Sequence, residues 1–301
     1  MCTVGIPSHL PAVTGRFGGP LELTGSPASL VSTMPDSVLD NSSKPGRVTL
    51  VGAGPGSPDL ITLRGLRCLQ TADAVLHDAL IAPELLREAR PDAVILHVGK
   101  RGYCIGSTSQ ETIHDALVRL AREGKTVCRL KGGDPCLFGR GGEEAEALVE
   151  AGIPFEIIPG VTSALGATAA AGIPLTHRDV GQSVTFATGH FDPDSPDCTL
   201  DFAALAKMPV VVFYMAVRNL AAIAAKLIDN GLSPTTPAAI LENGTLDHQR
   251  TIVGELATIG EQALSERIAA PALFVVGEVV RHREKLLALS SHALSSSQGQ
   301  P

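Results

Sequence analysis

The chain has 301 residues, 44% of them hydrophobic and 18% charged, which is ample for one large or two modest folded cores and too apolar for a disordered polymer. Its formal net charge of −7 argues against a general nucleic-acid binder, whose electrostatic footprint is basic. Nor does any uninterrupted apolar run reach the roughly 18 residues of a membrane-spanning helix, so neither a nucleic-acid partner nor a membrane is expected.

Residues 1–45 are rich in Pro, Gly, Ser and Thr, and are expected to form a flexible extension without the basic flank and apolar run of a secretory signal. Order is predicted from Arg47. RVTLVG reads as a strand entering the glycine turn GAGPG, SPDLITLRGLRCLQTA as a helix, and DAVLHD and DAVILHVG as the second and third strands. STSQETIHDALVRLAREG carries the clearest helical stripe, Ile113, Ala116, Leu117, Leu120 and Ala121. Thr108 is its predicted N-cap, Glu111 closes a capping box, and Gly124 suits the exit. Then come strand TVCRL, loop KGGDP, helix EEAEALVEAG, strand FEIIPG and the small-residue helix TSALGATAAAG. This alternation predicts α/β layers around a largely parallel sheet.

Beyond about Pro174 the pattern changes. Strands QSVTFATGH and PVVVFYM flank an Asp- and Pro-rich loop at 192–199. Helix 217–230, strand 237–241, the segment QRTIVGEL, a helix near 258–268 and strand ALFVVGEVV complete a second α/β unit. Domains are therefore expected at 46–176 and 177–288, with 289–301 as a disordered tail.

The six cysteines form no CxxC pair, which predicts reduced cytoplasmic thiols and no structural metal. GAGPG at Gly52–Gly56 resembles a dinucleotide fingerprint, but Ser57 follows Gly56 and Pro55 lacks the N–H that a phosphate loop uses. RLKGGDPCLFGRGGEE at Arg129–Glu144 says more. Gly132 and Gly133 follow a predicted strand, where α/β sheets expose ligand sites, and Asp134 could receive ribose hydroxyls or a cation. Asp78 and Lys100 each follow a predicted strand end, where a carboxylate and an ammonium could move protons or simply bridge the fold. Met215, closing VVVFYM, reads as core.

Taken in order, VTLVGAGPGSPDLITLRG, VGKRG, RLKGGDPCLFGRGGEE, GIPFEIIPGVTSALGATAAAGIPLTHRD, VTFATGH, GTLDHQRTIVGEL and FVVGEVV resemble the tetrapyrrole methylase family over roughly Arg47 to Ala288. The resemblance implies a two-domain α/β tetrapyrrole methylase fold with the active site in the interdomain cleft, and a homodimer. It implies S-adenosylmethionine as methyl donor, no metal, and uroporphyrinogen III as a substrate converted to precorrin-2 by two successive methylations. Pro55, Gly132, Gly133, Asp134, Leu137, Thr162, Ser163, Met215 and Gly244 match donor-binding positions; Asp78 matches the proton acceptor and Lys100 the proton donor. Because such a substrate carries many carboxylates, Arg101, Lys131, Arg140 and Arg178 are expected to hold it. The chain departs from the family pattern at His77, at Cys136–Leu137 and at Ala216. A later precorrin methyltransferase, an NAD-dependent oxidoreductase and a non-enzymatic ligand-binding protein stay open as alternatives, in that order.

Overall fold

Two five-stranded sheets organise residues 46–99 and 109–288, the part of the chain that the computed structural model describes. The expectations for 1–45 and 289–301, and those for Lys100, Arg101 and Thr108, lie outside the described residues.

The first sheet contains β1 (Arg47–Gly52), β2 (Ala74–His77), β3 (Val94–His97), β4 (Thr126–Lys131) and β5 (Phe155–Ile158). Their order is β3-β2-β4-β1-β5, and every pairing is parallel. Helices α1 (Leu63–Thr71), α2 (Pro83–Leu86), α3 (Gln110–Arg122) and α4 (Gly141–Glu150) cover it. A parallel sheet covered on both faces must be apolar on both, and the two-residue period of the strands divides the work. Val48, Leu50, Ala74, Leu76 and Val127 join Ile113, Leu117 and Leu120 of α3 and Leu148 of α4 in one core. Val51, Val75, Cys128, Leu130 and Ile158 turn the other way, onto Leu69 of α1 and Leu85 of α2.

The helix expected over residues 57–72 is split. A 3-10 turn at Pro58–Leu60 ends in extended Ile61, and α1 begins after Thr62, whose hydroxyl accepts from the Gly65 N–H at 3.1 Å. That side-chain cap starts a new helix where apolar periodicity alone suggested continuity. Similarly, α3 is capped by Ser109, which accepts from the Thr112 N–H at 3.1 Å, rather than through the expected capping box.

The second sheet contains β6 (Thr185–Thr188), β7 (Val210–Tyr214), β8 (Pro237–Glu242), β9 (Arg250–Glu255) and β10 (Ala272–Gly277), ordered β6-β7-β10-β8-β9. Only β6 and β7 pair in parallel; the others are antiparallel. Around it lie α5 (Ser163–Ala170), α6 (Phe202–Leu205), α7 (Leu220–Asp229) and α8 (Ile259–Ser265). Val211, Phe213, Ile240 and Phe274 face α6, α7 and α8. On the other face, Val210, Val212, Leu241 and Val275 pack against Ala164, Ala167 and Ala171. Thus α5, which precedes the expected division at 176/177, lies on the second sheet, its alanines allowing helix and strands to approach closely.

Candidate active site

Strand order places an opening between the ends of β1 and β4. These strands are neighbours, yet α1 leaves β1 toward one face and α4 leaves β4 toward the other, so their loops part at the carboxyl edge, the usual ligand crevice of such sheets. The two loops are tied across it. The Gly133 N–H donates to the Gly54 carbonyl at 2.7 Å, and the Gly54 N–H returns a bond to the Gly133 carbonyl at 3.2 Å. Gly133 has φ +68°, a conformation that leaves room for glycine and strains most other residues.

The second sheet reaches this crevice through the turn between β8 and β9. The Ser57 N–H donates to Thr245 Oγ1 at 2.9 Å. Gly244 lies against Ala167 of α5 so closely that any Cβ there would overlap the alanine's. Gln249 clamps the turn, accepting from the Thr245 N–H at 2.6 Å and donating to the Ala167 carbonyl at 3.4 Å. Pro55 packs on Gly166 of the same helix. Pro55, Gly133 and Gly244 are therefore brought together around α5.

Asp134 braces the loop after β4. One carboxylate oxygen accepts from the Cys136 and Leu137 N–H groups at 2.8 and 3.2 Å, and the other from the Gly160 N–H at 3.0 Å. Leu137 packs against the second-sheet core. Phe138 and Arg140 follow with φ of 54° and 59°, the ring of Phe138 lies 4.8 Å from that of Tyr214, and exposed Arg140 pairs with Glu143.

At the start of α5, Thr162 occupies the N-cap position without capping the helix itself. Its hydroxyl bonds the Tyr214 hydroxyl at 2.7 Å, and that phenol oxygen accepts from the Ala164 N–H at 3.1 Å. Tyr214, on the last position of β7, thereby supplies the missing cap from the sheet on which α5 lies, and its burial raises the phenol pKa. Ser163 opens the helix beside it. Met215 comes next after Tyr214, with φ +56° and 50% exposure, so it leaves the core in which composition alone would place it.

A chain of charge borders the crevice. Asp78 follows β2, and its Oδ1 receives Arg129 Nη2 at 2.6 Å. Arg129 Nε also donates to Glu144 Oε1 at 3.1 Å, and Lys131 Nζ reaches the same oxygen at 2.7 Å. Arg129 and Lys131 are each 2% exposed and Glu144 is 0% exposed. Burial, reinforced by the neighbouring Arg129 charge, lowers the Lys131 pKa against the pull of Glu144. Lys131, expected to hold substrate carboxylates, thus has its ammonium closed off by Glu144. Arg178 is exposed on the turn closed by the His177–Gly181 bridge.

Arg129 and Glu144 were not singled out in the sequence. Their signal is the alternation Val127, Arg129, Lys131, which puts both cations on the α4 face of β4, opposite the acidic opening of that helix. Among the described residues, no group of three or more His, Cys, Asp or Glu is placed to hold a metal, and no helix is long and apolar enough to cross a membrane.

A doubly covered parallel sheet, a mixed second sheet and a glycine crevice closed by turns from both define a two-domain α/β protein with a small-molecule site. The chain belongs to the tetrapyrrole (corrin/porphyrin) methylase family, whose model matches residues 47–260. It is similar to a siroheme synthase of Chromobacterium violaceum, 53% identical over 242 residues, covering 80% of this chain and 51% of that protein. The chain spans about half the length of the curated relatives it matches. Among solved structures it is similar to a uroporphyrin-III C-methyl transferase from Thermus thermophilus complexed with S-adenyl homocysteine. That likeness has 38% identity and a TM-score of 0.67, over 78% of this chain and 99% of the other. A cobalt precorrin-4 methyltransferase matches with 28% identity and a TM-score of 0.70, over 78% and 95%.

Proposed function

We propose that the chain is an S-adenosylmethionine-dependent C-methyltransferase that converts uroporphyrinogen III to precorrin-2 in two successive transfers, releasing S-adenosylhomocysteine each time. Support comes chiefly from the convergence of three loops (after β1, after β4 and between β8 and β9) on α5, in a chain of which 78% is similar to a methyltransferase complexed with the demethylated donor. Pro55, Gly132, Gly133, Asp134, Leu137, Thr162, Ser163, Met215 and Gly244 would surround the donor. Asp134 acts there by shaping the loop, because its carboxylate already accepts three backbone N–H groups.

In each transfer an electron-rich pyrrole carbon attacks the methyl carbon, and the carbon–sulfur bond breaks with its electron pair passing to sulfur. The crevice holds the two in line, since misorientation weakens direct transfer sharply. Asp78 accepts the proton lost from the substrate, and Lys100 donates one or steadies developing charge. Arg101, Arg140 and Arg178 hold substrate carboxylates, while buried Lys131, expected to join them, is paired with Glu144 instead. The same reading carries a homodimer and a cytoplasmic location, both resting on the family resemblance and the scattered thiols.

A second reading, methylation of a later precorrin, is favoured by one observation. The TM-score to the cobalt precorrin-4 enzyme, 0.70, is no lower than that to the Thermus enzyme complex, 0.67. Anaerobic incubation with methyl-labelled S-adenosylmethionine and uroporphyrinogen III, followed by mass, separates them. A gain of two methyl groups that requires the donor is expected. Donor binding without transfer would favour the later precorrin, and folded protein that binds no donor would overturn the methyltransferase reading.

A further inference from the structure

We infer that Glu144 is a positioning residue for this reaction: it fixes the Arg129 guanidinium, which in turn holds the Asp78 carboxylate in place at the end of β2. The inference rests on the proposed function and extends it to a residue that never meets the substrate.

The guanidinium is engaged on every side. Nε and Nη2 face Glu144 Oε1, each at 3.1 Å, and Nη2 also grips Asp78 Oδ1 at 2.6 Å. Nη1 points to the carbonyls of Leu76 and Leu130 at 3.5 and 3.4 Å. A planar fork held in this way has one orientation left. Asp78 keeps 30% of its side chain exposed while Arg129 keeps 3%, so the carboxylate is open to a ligand and its anchor is sealed.

Glu144 carries this arrangement at a cost. Its Oε1 takes Arg129, Lys131 Nζ at 2.7 Å and Gln110 Nε2 at 3.4 Å. Its Oε2, fully buried, has no hydrogen-bond partner among the described residues. A buried carboxylate oxygen without a partner is destabilising. If the cluster served only to join α4 to β4, apolar side chains of similar volume would do so at least as well. What the ionic cluster supplies instead is direction: two cations on one face of β4, drawn toward α4 by a single oxygen, with Nη2 of Arg129 shared between that oxygen and Asp78.

The test is a double-mutant cycle on the full chain, with kcat from labelled methyl transfer to uroporphyrinogen III and donor affinity from calorimetric titration of S-adenosylhomocysteine. Glu144→Gln is expected to lower kcat about 10-fold or more, as a displaced catalytic group does, with donor Kd held within about 2-fold. In an Asp78→Asn background the same replacement should cost almost nothing further, because two residues acting as one unit are non-additive. An equal loss in both backgrounds, or a donor Kd that moves with kcat, would overturn the inference and leave Glu144 a structural residue. Wild-type kcat in Asp78→Asn alone would remove the role assigned to Asp78, a failure read with Glu144 intact and therefore distinct. If Glu144→Gln does not fold, Lys131→Met/Glu144→Gln against Lys131→Met removes one charge of each sign and is judged by the same criteria.

Discussion

At the scale of single residues, the side chains that shape the crevice work mostly through backbone groups. Tyr214→Phe removes a hydroxyl that bonds Thr162 and receives the Ala164 N–H. It should lower stability by about 1–2 kcal/mol in urea unfolding, since each net hydrogen bond is worth about 1 kcal/mol. It should also weaken S-adenosylhomocysteine binding by freeing Thr162. Asp134→Asn places an amide where a carboxylate accepts three N–H groups, so one N–H must lose its acceptor. A loss of about 1.5–3 kcal/mol is expected, the range for bonds to a charged group, measurable by the same unfolding curve. The sequence marked Asp134 as a direct ligand contact from its place in a glycine loop. Its work inside that loop was not legible, because Gly160 lies 26 residues away and only the fold brings it near.

At the scale of elements, strong periodicity was readable and capping was less so. The stripe on α3 is buried as expected at Ile113, Leu117, Leu120 and Ala121, because a 3.6-residue period has one apolar face to hide. Its cap is Ser109, one residue on from the expected Thr108, because serine and threonine are both favoured at that position and composition does not choose between neighbours. Ser109→Ala should cost about 1 kcal/mol, read as a shift in urea midpoint without a change in slope. The docking of α5 left no such trace: its residues are nearly all small, so no stripe announces which sheet it will meet.

The cross-strand pair Glu242–Arg250, in register between β8 and β9, gives a pH prediction. The Arg250 bond and then the Ala269 N–H hold the Glu242 carboxyl below its ordinary value of 4.5, against burial. A pKa depressed by folding contributes stability above the unfolded value and loses it as pH falls through the folded one. Arg250→Met should therefore flatten the decline of Tm on acidification below about pH 4.5, with little change in slope near neutrality.

At the scale of the whole molecule, the parallel first sheet and a second α/β unit followed from chain order and alternation, whereas the mixed pairing of the second sheet and the way the two meet did not. The contact runs through the β8–β9 turn, where Thr245 Oγ1 accepts the Ser57 N–H, and that turn is seated on α5 by Gly244 lying against Ala167, fits between residues far apart in sequence. Gly244→Val should push the β8–β9 turn off α5 and weaken donor binding at least about 10-fold while secondary structure is retained, because only volume at a close contact has changed. Circular dichroism beside calorimetry checks both halves of that expectation.

The packing of α5 makes the covalent order and the physical halves of the molecule disagree. The helix is joined to β5 through residues 159–162 but hides its alanines on the strands of the second sheet. Two co-expressed pieces divided at 176/177 would leave those alanines bare on one fragment and an uncovered sheet face on the other, and should associate poorly or precipitate. Divided near 159, each piece would keep its own apolar surfaces together, and complementation should restore a single particle on gel filtration.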